Sequence, residues 1–411
     1  MPAKTFMSWP SEPHQGLLQP GDPLPSGNCM AMLEALIELR QRFPTPQDPL
    51  VLSKLLRHQW PAEPSLWLQN QLKLYWDAVR LEAFADPLRL LFESQGLQMA
   101  PRWPLARRKA EEFCRRFPNT ALLEIGAGIG GDTLELGRLL SLRSCEQDRQ
   151  RTACLKHNLA VSGLEVPVLE GDGLEQLRPG EALYLDPARR DAHQRRWKDL
   201  QPDPTPLFSR CEPLCVKLAP GIDESLLPVT ADLDYVSHQG TCKEAVLWLP
   251  GQGQVQAWMW NGQGWLSAAR RRPPQLAELR PGDWLHEPDP AAVRAQIWQP
   301  QEGCRIDATT ALLVTPAGMS SPWTQAFEVL EIADADLKQL KRSLRHWGFH
   351  PLEIKKRGFD LDPEQLRKKL PACAGGGAGV LFLTRVAGRH RAIWARRINQ
   401  KARPEPGFSS Q

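Results

Sequence analysis

The feature that most constrains this chain is a short apolar run that reaches a carboxylate and then opens into four glycines. The apolar residues predict a buried strand. The glycines predict a tight turn into a helix, because backbone without Cβ reaches positive φ and lets a ligand approach the main chain closely. Unpaired N–H groups at the start of that helix favour a nucleotide-type ligand. The run spans 121–125, and the glycines are Gly126, Gly128, Gly130 and Gly131.

Two kinds of cofactor fit such a loop. Gly126, Gly128 and Gly131 match the G-x-G-x-x-G dinucleotide fingerprint, with the acid Glu146 roughly 20 residues further on. However, Glu124 and Asp132 flank the turn. A carboxylate near a helix start suits an ammonium group better than a pyrophosphate. The sequence therefore favours a cofactor that carries an ammonium group, and a nicotinamide or flavin cofactor is the alternative.

Acidic residues also follow the next three predicted strands. Glu146 follows a short strand at 142–145, Asp172 comes shortly after a strand at 166–169, and Asp186 follows a strand at 182–185. In an open α/β sheet, ligands bind beyond the carboxyl ends of the strands. We therefore expect these acids to share one sheet edge with the glycine loop.

This arrangement resembles the class I S-adenosylmethionine-dependent methyltransferases. The resemblance implies that the glycine loop holds the amino-acid end of the donor, that the acid after the second strand binds the ribose hydroxyls, and that the acid after the third strand lies near the adenine. The implied donor-binding residues are Glu124, Gly126, Gly128, Gly130, Glu146 and Asp172.

Several further motifs narrow the resemblance to the bacterial class I methyltransferases that end in a THUMP-like domain. They are Asp186-Pro187-Ala188-Arg189-Arg190-Asp191, Lys217-Leu218-Ala219-Pro220, the segment 242–248, His286-Glu287-Pro288-Asp289-Pro290, Lys355-Lys356-Arg357-Gly358-Phe359 and the segment 362–370. The likeness covers about 107–386. It implies a Rossmann-like α/β sheet followed by α+β modules, one ferredoxin-like and one THUMP-like. THUMP domains proper belong to RNA-modifying enzymes, so the resemblance also implies an RNA substrate, tRNA or rRNA.

The predicted domain organisation has five parts. Proline-bounded apolar periodicity predicts helices at 30–43, 49–60, 64–84 and 87–95, with Leu66, Leu72 and Val79 among the core-facing positions. The donor-binding sheet is expected to close with a hairpin of strands at 233–237 and 245–249. The parts are a flexible leader (1–28), a helical domain (29–105), the methyltransferase domain (106–255), a ferredoxin-like module (275–320) and a basic THUMP-like domain (326–400).

The residues after the fourth strand are the predicted catalytic ones: Asp186, Pro187 and Arg189. Similar amino-group methyltransferases carry Asp/Asn-Pro-Pro-aromatic there, and the aromatic ring stacks the extruded base. Here Ala188 and Arg189 replace the second proline and the aromatic, so stacking would fall to Arg189 or Trp197. Methylation at carbon 5 of a pyrimidine would instead need a thiolate. Cys242 is the candidate for that role, although a buried structural thiol is the preferred interpretation.

Basic charge is concentrated near the C-terminus. Residues 338–403 hold 17 Lys and Arg against 4 Asp and Glu, whereas the whole chain holds 51 and 47. Such an imbalance is typical of a phosphate-backbone binder, and a solvated basic face without a partner is the alternative. The predicted RNA-binding residues form two basic triplets and a stacking ring: Lys355, Lys356, Arg357, Phe359, Arg367, Lys368 and Lys369.

The remaining composition limits the class of protein. No apolar run approaches the ~20 residues of a membrane span, and the first ten residues lack the apolar core of a signal peptide. The nine cysteines are scattered without C-x-x-C, which predicts reduced thiols and no metal site. We therefore expect a cytoplasmic enzyme. Two alternatives stay open: an RNA-binding protein that keeps the fold without turnover, and a methyltransferase for a small molecule or protein.

Overall fold

The computed structural model describes residues 29–189, 200–209, 213–298, 303–316, 321–360, 362–373 and 375–398. These residues form two compact units. The first runs to Ala231 and includes Leu247–Gly251, and the second comprises Asp232–Val246 and the chain from Gln252. The predicted boundaries at 105 and 255 do not coincide with this division. The N-terminal helices and the glycine loop share one core, in which Leu68 and Leu91 pack with Ile129 and Leu155. The predicted leader lies outside the described residues.

Between residue 29, where the described part of the chain begins, and the glycine loop, the structure has five helices. The prediction of a helix at 87–95 is wrong. Main-chain N–H groups there donate to side chains rather than to carbonyls of the preceding helical turn: the Leu91 N–H donates to Asn158 Oδ1 and the Phe92 N–H to Gln71 Oε1. Leu66 and Val79, predicted to face the core, are 59% and 46% exposed. The helices are α1 (Cys29–Arg42), α2 (Pro49–Arg57), α3 (Ala62–Arg80), α4 (Ser94–Met99) and α5 (Trp103–Arg116).

The first unit contains the predicted Rossmann-like parallel sheet. Its strands lie in the order β7-β4-β1-β2-β3, and the short strands β5 and β6 form a separate antiparallel pair. All four residues of β1 and of β4 are buried, as expected for strands covered on both faces. The elements are β1 (Leu122–Ile125), α6 (Thr133–Gly137), β2 (Leu142–Cys145), α7 (Arg149–Val161), β3 (Val168–Leu169), β4 (Ala182–Leu185), β5 (Ala188–Arg189), β6 (Leu200–Gln201) and β7 (Leu214–Leu218).

The second unit begins with strands in the order β11-β10-β8-β9. The predicted hairpin is present as β8 (Asp232–His238) and β9 (Thr241–Leu249), whose last three residues belong to the first unit. The expectation that the sheet is complete at 249 is wrong. The Gly-, Gln- and Trp-rich passage that follows forms β10 (Val255–Trp260), which pairs in parallel with β8, and β11 (Trp265–Ala269), which pairs antiparallel with β10.

The rest of the second unit contains one seven-stranded sheet, in the order β13-β14-β12-β15-β18-β17-β16. The region 275–320 therefore supplies no sheet of its own. Its strand β12 pairs with β15, and Leu285 and Phe327 share one buried cluster. The last strand, β18, was not predicted. The elements are β12 (Trp284–Pro288), α8 (Pro290–Ala295), β13 (Cys304–Arg305), β14 (Leu313–Thr315), β15 (Thr324–Asp334), α9 (Leu337–Trp347), β16 (Leu352–Lys356), α10 (Pro363–Lys369), β17 (Gly379–Val386) and β18 (Arg389–Arg397).

Candidate functional site

The strand register of the first unit brings the predicted site residues into one row. Ile125 is the register partner of Leu185 and of Cys145, and Leu185 is the partner of Val216. The next residue of each strand continues this row at the carboxyl ends, where parallel sheets bind ligands. The row therefore consists of Glu146, Gly126, Asp186 and Lys217.

The glycine loop has a packed side and an open side. A Cβ added to Gly126, at φ +87°, would lie 2.5 Å from the Asp186 main-chain oxygen, so that position admits no side chain. At Gly130, where φ is +100°, a Cβ would press on Leu155 at 3.0 Å. Gly128 differs, because at φ +60° its Cβ would enter open space. The loop can therefore be approached by a ligand at Gly128.

Of the two acids predicted to bind the nucleoside, Glu146 contacts the loop at Gly128, and Asp172 follows β3. Glu146 accepts hydrogen bonds from the Gly128 N–H (2.7 Å) and from the Asp148 N–H (2.9 Å), which ties the end of β2 to the loop. Asp172 is exposed and accepts from the Leu174 N–H at 2.9 Å. Both carboxylates thus lie at the sheet edge, and their roles toward the ribose and adenine stay predictions.

Glu124 lies behind the loop rather than on its open side. Its side chain is 1% exposed, and its Oε2 accepts a hydrogen bond from Ser144 Oγ at 2.7 Å. Burial, reinforced by the nearby Asp132, raises the pKa of Glu124 to about 8. A buried neutral carboxyl does not offer a direct counter-charge to the ammonium group of a donor. The structure therefore favours a role for Glu124 in shaping the loop rather than in direct donor contact.

Asp186 belongs to a chain of alternating charges. Lys217 Nζ lies 2.8 Å from Asp186 Oδ2 and 3.5 Å from Asp132 Oδ2. Lys109 Nζ lies 3.0 Å from Asp132 Oδ1, and the Tyr184 hydroxyl donates to Asp132 Oδ2 at 2.8 Å. Burial opposes ionisation of Asp132, but the two ammonium groups hold the pKa of its carboxyl below the usual value. Asp132 therefore anchors the lysines and is not left for a ligand.

The sequence analysis did not predict the two lysines, Lys109 and Lys217, in this set of alternating charges. Lys217 appears in the sequence only as part of a family motif, and Lys109 belongs to none of the motifs. The signal for Lys217 is its position directly after Val216, one residue beyond the last register pair with β4. Lys109 offers no comparable signal, because it reaches the site from α5, outside the sheet.

The segment after Asp186 does not continue the parallel sheet. Pro187 is buried, and Ala188 and Arg189 form the strand β5, which pairs with β6. The Arg189 side chain and all of Trp197, the two candidates for stacking a base, lie outside the described part of the chain. Their stacking role stays a prediction.

Cys242 is in the second unit, at the start of β9, and its surroundings disfavour a nucleophile. Burial, reinforced by Asp289, raises the pKa of its thiol to about 12, and the Sγ donates to the Glu244 carbonyl at 3.8 Å. The thiolate is the nucleophilic form, and so little of it exists at neutral pH. The structure favours the structural interpretation of Cys242.

The two predicted basic triplets lie at opposite ends of β16 and do not converge. At the end of the strand, Lys355 Nζ contacts Glu287 Oε2 at 2.6 Å, and Arg357 pairs with the same carboxylate. At its beginning, Arg367 Nη1 donates to the Leu352 carbonyl at 2.7 Å. Lys356, Lys368 and Lys369 are exposed, whereas Phe359 is half-buried against His390, with ring centroids 4.8 Å apart. Part of the Phe359 ring is thus covered by His390 and is less accessible for stacking on a base.

A further basic stripe, missed in the sequence, lies on α9. Its residues recur at the three- and four-residue spacing of a single helix face. The opposite face buries Leu340 and Leu344 against the sheet. No salt bridge within the described ranges involves the stripe. The stripe consists of Lys338, Lys341, Arg342 and Arg345.

Two kinds of feature are absent from the described residues. None of the helices there is long and apolar enough to cross a membrane. No group of three or more His, Cys, Asp or Glu side chains in the same part of the chain is arranged to hold a metal ion.

Comparison with known proteins adds three findings. A family model described as THUMP domain-like matches residues 324–397. Uncharacterized S-adenosylmethionine-dependent methyltransferases from two Mycobacterium tuberculosis strains, CDC 1551 / Oshkosh and ATCC 25618 / H37Rv, are each 30% identical over 308 residues, covering 68% of this chain and 80% of theirs. The fold is similar to that of a proposed methyltransferase from Porphyromonas gingivalis W83, with a TM-score of 0.66 and 18% identity over 89% of this chain and 98% of the other.

The glycine loop, its row of acids and the relationship to the mycobacterial proteins define the class. The chain belongs to the S-adenosylmethionine-dependent methyltransferases, and its C-terminal part is THUMP-like. The predictions of enzyme class, donor and fold are therefore confirmed, and the nicotinamide or flavin alternative is set aside. The opening at Gly128 fits the donor, because a glycine leaves the main chain accessible there and no atom lies within 4 Å of the place a Cβ would take.

Proposed function

We propose that this protein methylates a base in structured RNA, tRNA or rRNA. One observation carries the proposal: the same chain contains a methyl-donor site and a THUMP-like part, and that part carries exposed cations on the last turns of two of its helices. The likeness at 324–397 supports an RNA partner. The donor supplies an activated methyl group, so the protein's task is to bind and align the acceptor.

In the first unit, the division of roles follows the open side of the loop. Gly128 admits the donor to the main chain, and Glu146 and Asp172 line the adjacent edge. Asp186 is the acceptor-side group. Its main chain lies against Gly126, and its side chain is 31% exposed. A carboxylate at this place can accept a hydrogen bond from the group to be methylated and orient it.

In the second unit, one end of the sheet carries the surface that suits an RNA backbone. The segment after α10 contacts the last turn of α9 there, because Cys373 Sγ donates to the Leu344 carbonyl at 3.6 Å, and Arg367 of α10 donates to the Leu352 carbonyl at the start of β16. Arg345, Lys368 and Lys369 project from the last turns of the two helices, exposed and outside any salt bridge of the described residues. Exposed cations in one cluster are what phosphate contacts require. We define these three residues as the basic corner.

The test is transfer of a radiolabelled methyl group from S-adenosylmethionine to RNA. The acceptor should be total RNA from a host that lacks the gene, because sites in wild-type RNA are already methylated. We expect label in the tRNA or rRNA fraction with the wild-type protein and none with Gly128→Leu. Label in the protein or small-molecule fraction alone would replace RNA with another acceptor. RNA binding without any transfer would favour the non-catalytic alternative.

A further inference from the structure

The acceptor-side carboxylate of the first unit does not stand alone. Asp186 and Lys217 follow paired residues of two neighbouring parallel strands, and their side chains meet at 2.8 Å. Lys217 is 14% exposed and Asp186 is 31% exposed, so the pair lies partly open at the sheet edge. Strand register therefore fixes a carboxylate and an ammonium group side by side where the acceptor is expected.

The ammonium group is held from behind. Asp132 is buried, and its Oδ2 lies 3.5 Å from Lys217 Nζ. The same carboxylate also contacts the Lys109 ammonium group and accepts a hydrogen bond from the Tyr184 hydroxyl. Lys109 is only 2% exposed. Buried charges are costly unless they are paired, so this arrangement is stable as a set and restricts Lys217 to the neighbourhood of Asp186. Asp132, Lys109 and Tyr184 are positioning residues, because they act through Lys217.

From this geometry we infer that Lys217 is a second acceptor-side catalytic residue and that the acceptor is a lactam edge, the ring N–H beside a C=O of guanine or uracil. This inference rests on the proposed function. A carboxylate accepts the ring N–H, and an adjacent ammonium donates to the neighbouring carbonyl. The Asp186–Lys217 pair presents one acceptor and one donor in that arrangement.

The charge of the pair also selects against an exocyclic amine. An amino group that attacks a methyl donor becomes more positive, so an ammonium beside it is unfavourable. A lactam nitrogen that loses its proton instead moves negative charge onto its carbonyl oxygen. Lys217 would stabilise that charge in a partly dry site, where such interactions are strong. The aromatic residue expected of an amino-group site is absent from Asp186-Pro187-Ala188-Arg189, in agreement with this choice.

The step balances in atoms and charge. The bond between the ring nitrogen and the methyl carbon forms as the carbon–sulfur bond of the donor breaks, and sulfur keeps that electron pair. The ring N–H proton passes to the Asp186 carboxylate and then to water. The four charges of Lys109, Asp132, Lys217 and Asp186 sum to zero before the step. They sum to one positive charge after proton transfer, and the sulfonium of the donor loses its positive charge in the same step.

The experiment compares wild type with Lys217→Met, Lys217→Arg and the control Lys156→Met. Lys156 forms an exposed ion pair with Glu170 at 2.9 Å in the same unit. Each protein receives labelled S-adenosylmethionine and total RNA from the gene-deleted host. The single-turnover rate is measured, the methylated nucleoside is identified by mass spectrometry after digestion, and S-adenosylhomocysteine affinity is measured by calorimetry.

We expect 1-methylguanosine or 3-methyluridine as the product, and the nucleoside identity separates the two sources of the lactam edge. Lys217→Met should slow transfer by about 10²-fold, the size typical of one lost electrostatic or acid–base group. Its S-adenosylhomocysteine affinity should stay within about threefold of wild type, since Lys217 faces the acceptor. Lys217→Arg should recover part of the rate, and Lys156→Met should match wild type.

Several results would overturn the inference while the proposed function stands: label on an exocyclic nitrogen or on carbon 5, or a Lys217→Met rate close to wild type. Label on the ribose oxygen would overturn the base assignment of the proposed function as well. If Lys217→Met does not fold, the wild-type product and the Lys217→Arg rate decide the question. Label found only outside RNA would overturn the proposed function, and the inference with it.

Discussion

The site lysines of the first unit and the exposed cations of α9 and α10 in the second are used in opposite ways. In the first unit, Lys109 contacts Asp132 at 3.0 Å, and Lys217 contacts Asp186 at 2.8 Å. In the second, the basic corner and the α9 stripe are outside the salt bridges of the described residues. Buried pairs fix geometry, whereas exposed charges contribute a screened, nonspecific attraction. The comparison agrees with the proposal: paired charges in the first unit suit chemistry at one atom, and exposed charges in the second suit the proposed polyanionic partner.

The largest expected effect is loss of donor binding. Gly128→Leu would place a side chain in the open space of the loop and should reduce S-adenosylhomocysteine affinity by at least about 10²-fold. Gly163→Leu is the matched control, because Gly163 also has positive φ (+69°) and open space for a Cβ. Calorimetry and thermal denaturation of both variants separate the two effects. Equal donor affinity in both would contradict the assignment of the loop.

The next effect is on the chemical step. Asp186→Ala should slow single-turnover methyl transfer by a factor of about 10² while donor affinity changes little, because the proposed role of the side chain is toward the acceptor. Rapid-quench measurement on RNA from a gene-deleted host gives the rate. Full activity in this variant would remove Asp186 from the acceptor side, and weaker donor binding would move it to the donor side.

The basic corner should affect binding rather than chemistry. Replacing Arg345, Lys368 and Lys369 with alanine should lower the slope of log affinity against log salt by about 2, at ~0.7 per phosphate contact of a single strand. The control removes three exposed cations of the first unit, Lys54, Arg57 and Lys73, and changes net charge equally. Filter binding at several salt concentrations measures both. Equal slopes in the two triple variants would make the corner a solvated face only.

A smaller effect concerns stability. Because the pKa of Glu124 is raised from 4.5 to about 8 in the folded protein, its neutral form contributes stability fully below about pH 4.5. That contribution is lost as the pH rises through about 8. The free energy of unfolding of Glu124→Gln, measured relative to wild type, should therefore rise by about 1 kcal/mol or more between pH 6 and pH 8. Denaturant unfolding at both pH values tests this, with the exposed Glu175→Gln as the control that should show no such gain.

The smallest expected effect is at Cys242. Cys242→Ala should leave the transfer rate within about twofold of wild type, because a buried thiol with a pKa of about 12 supplies little thiolate. Rapid-quench rates and a search for a covalent RNA adduct test this. A large loss of rate together with a trapped adduct would restore the carbon-5 route.

The sequence predicted the first unit well because its signals are local and periodic. The glycine loop and the acids after β2 and β4 follow from strand ends, and the register then brings them together. The chain of charges could not be predicted, since Lys109 arrives from a helix and pairs with Asp132 through folding. Similarly, no local sequence signal indicated that the Asn158 side chain would take the hydrogen bonds of the Leu91 main chain in place of a helix. The pairing of β12 with β15 also depends on distant residues.

The most direct test is the nucleoside profile of RNA from a strain that lacks the gene. Mass spectrometry of digested tRNA and rRNA is compared with the same strain carrying the wild-type gene, Asp186→Ala or Gly128→Leu. We predict that one methylated nucleoside is missing in the deletion strain, returns with the wild-type gene and stays missing or strongly reduced with either variant. A profile unchanged by the deletion, or restored fully by both variants, would contradict the assignment of this protein as an RNA methyltransferase with its site at the Gly128–Asp186 sheet edge.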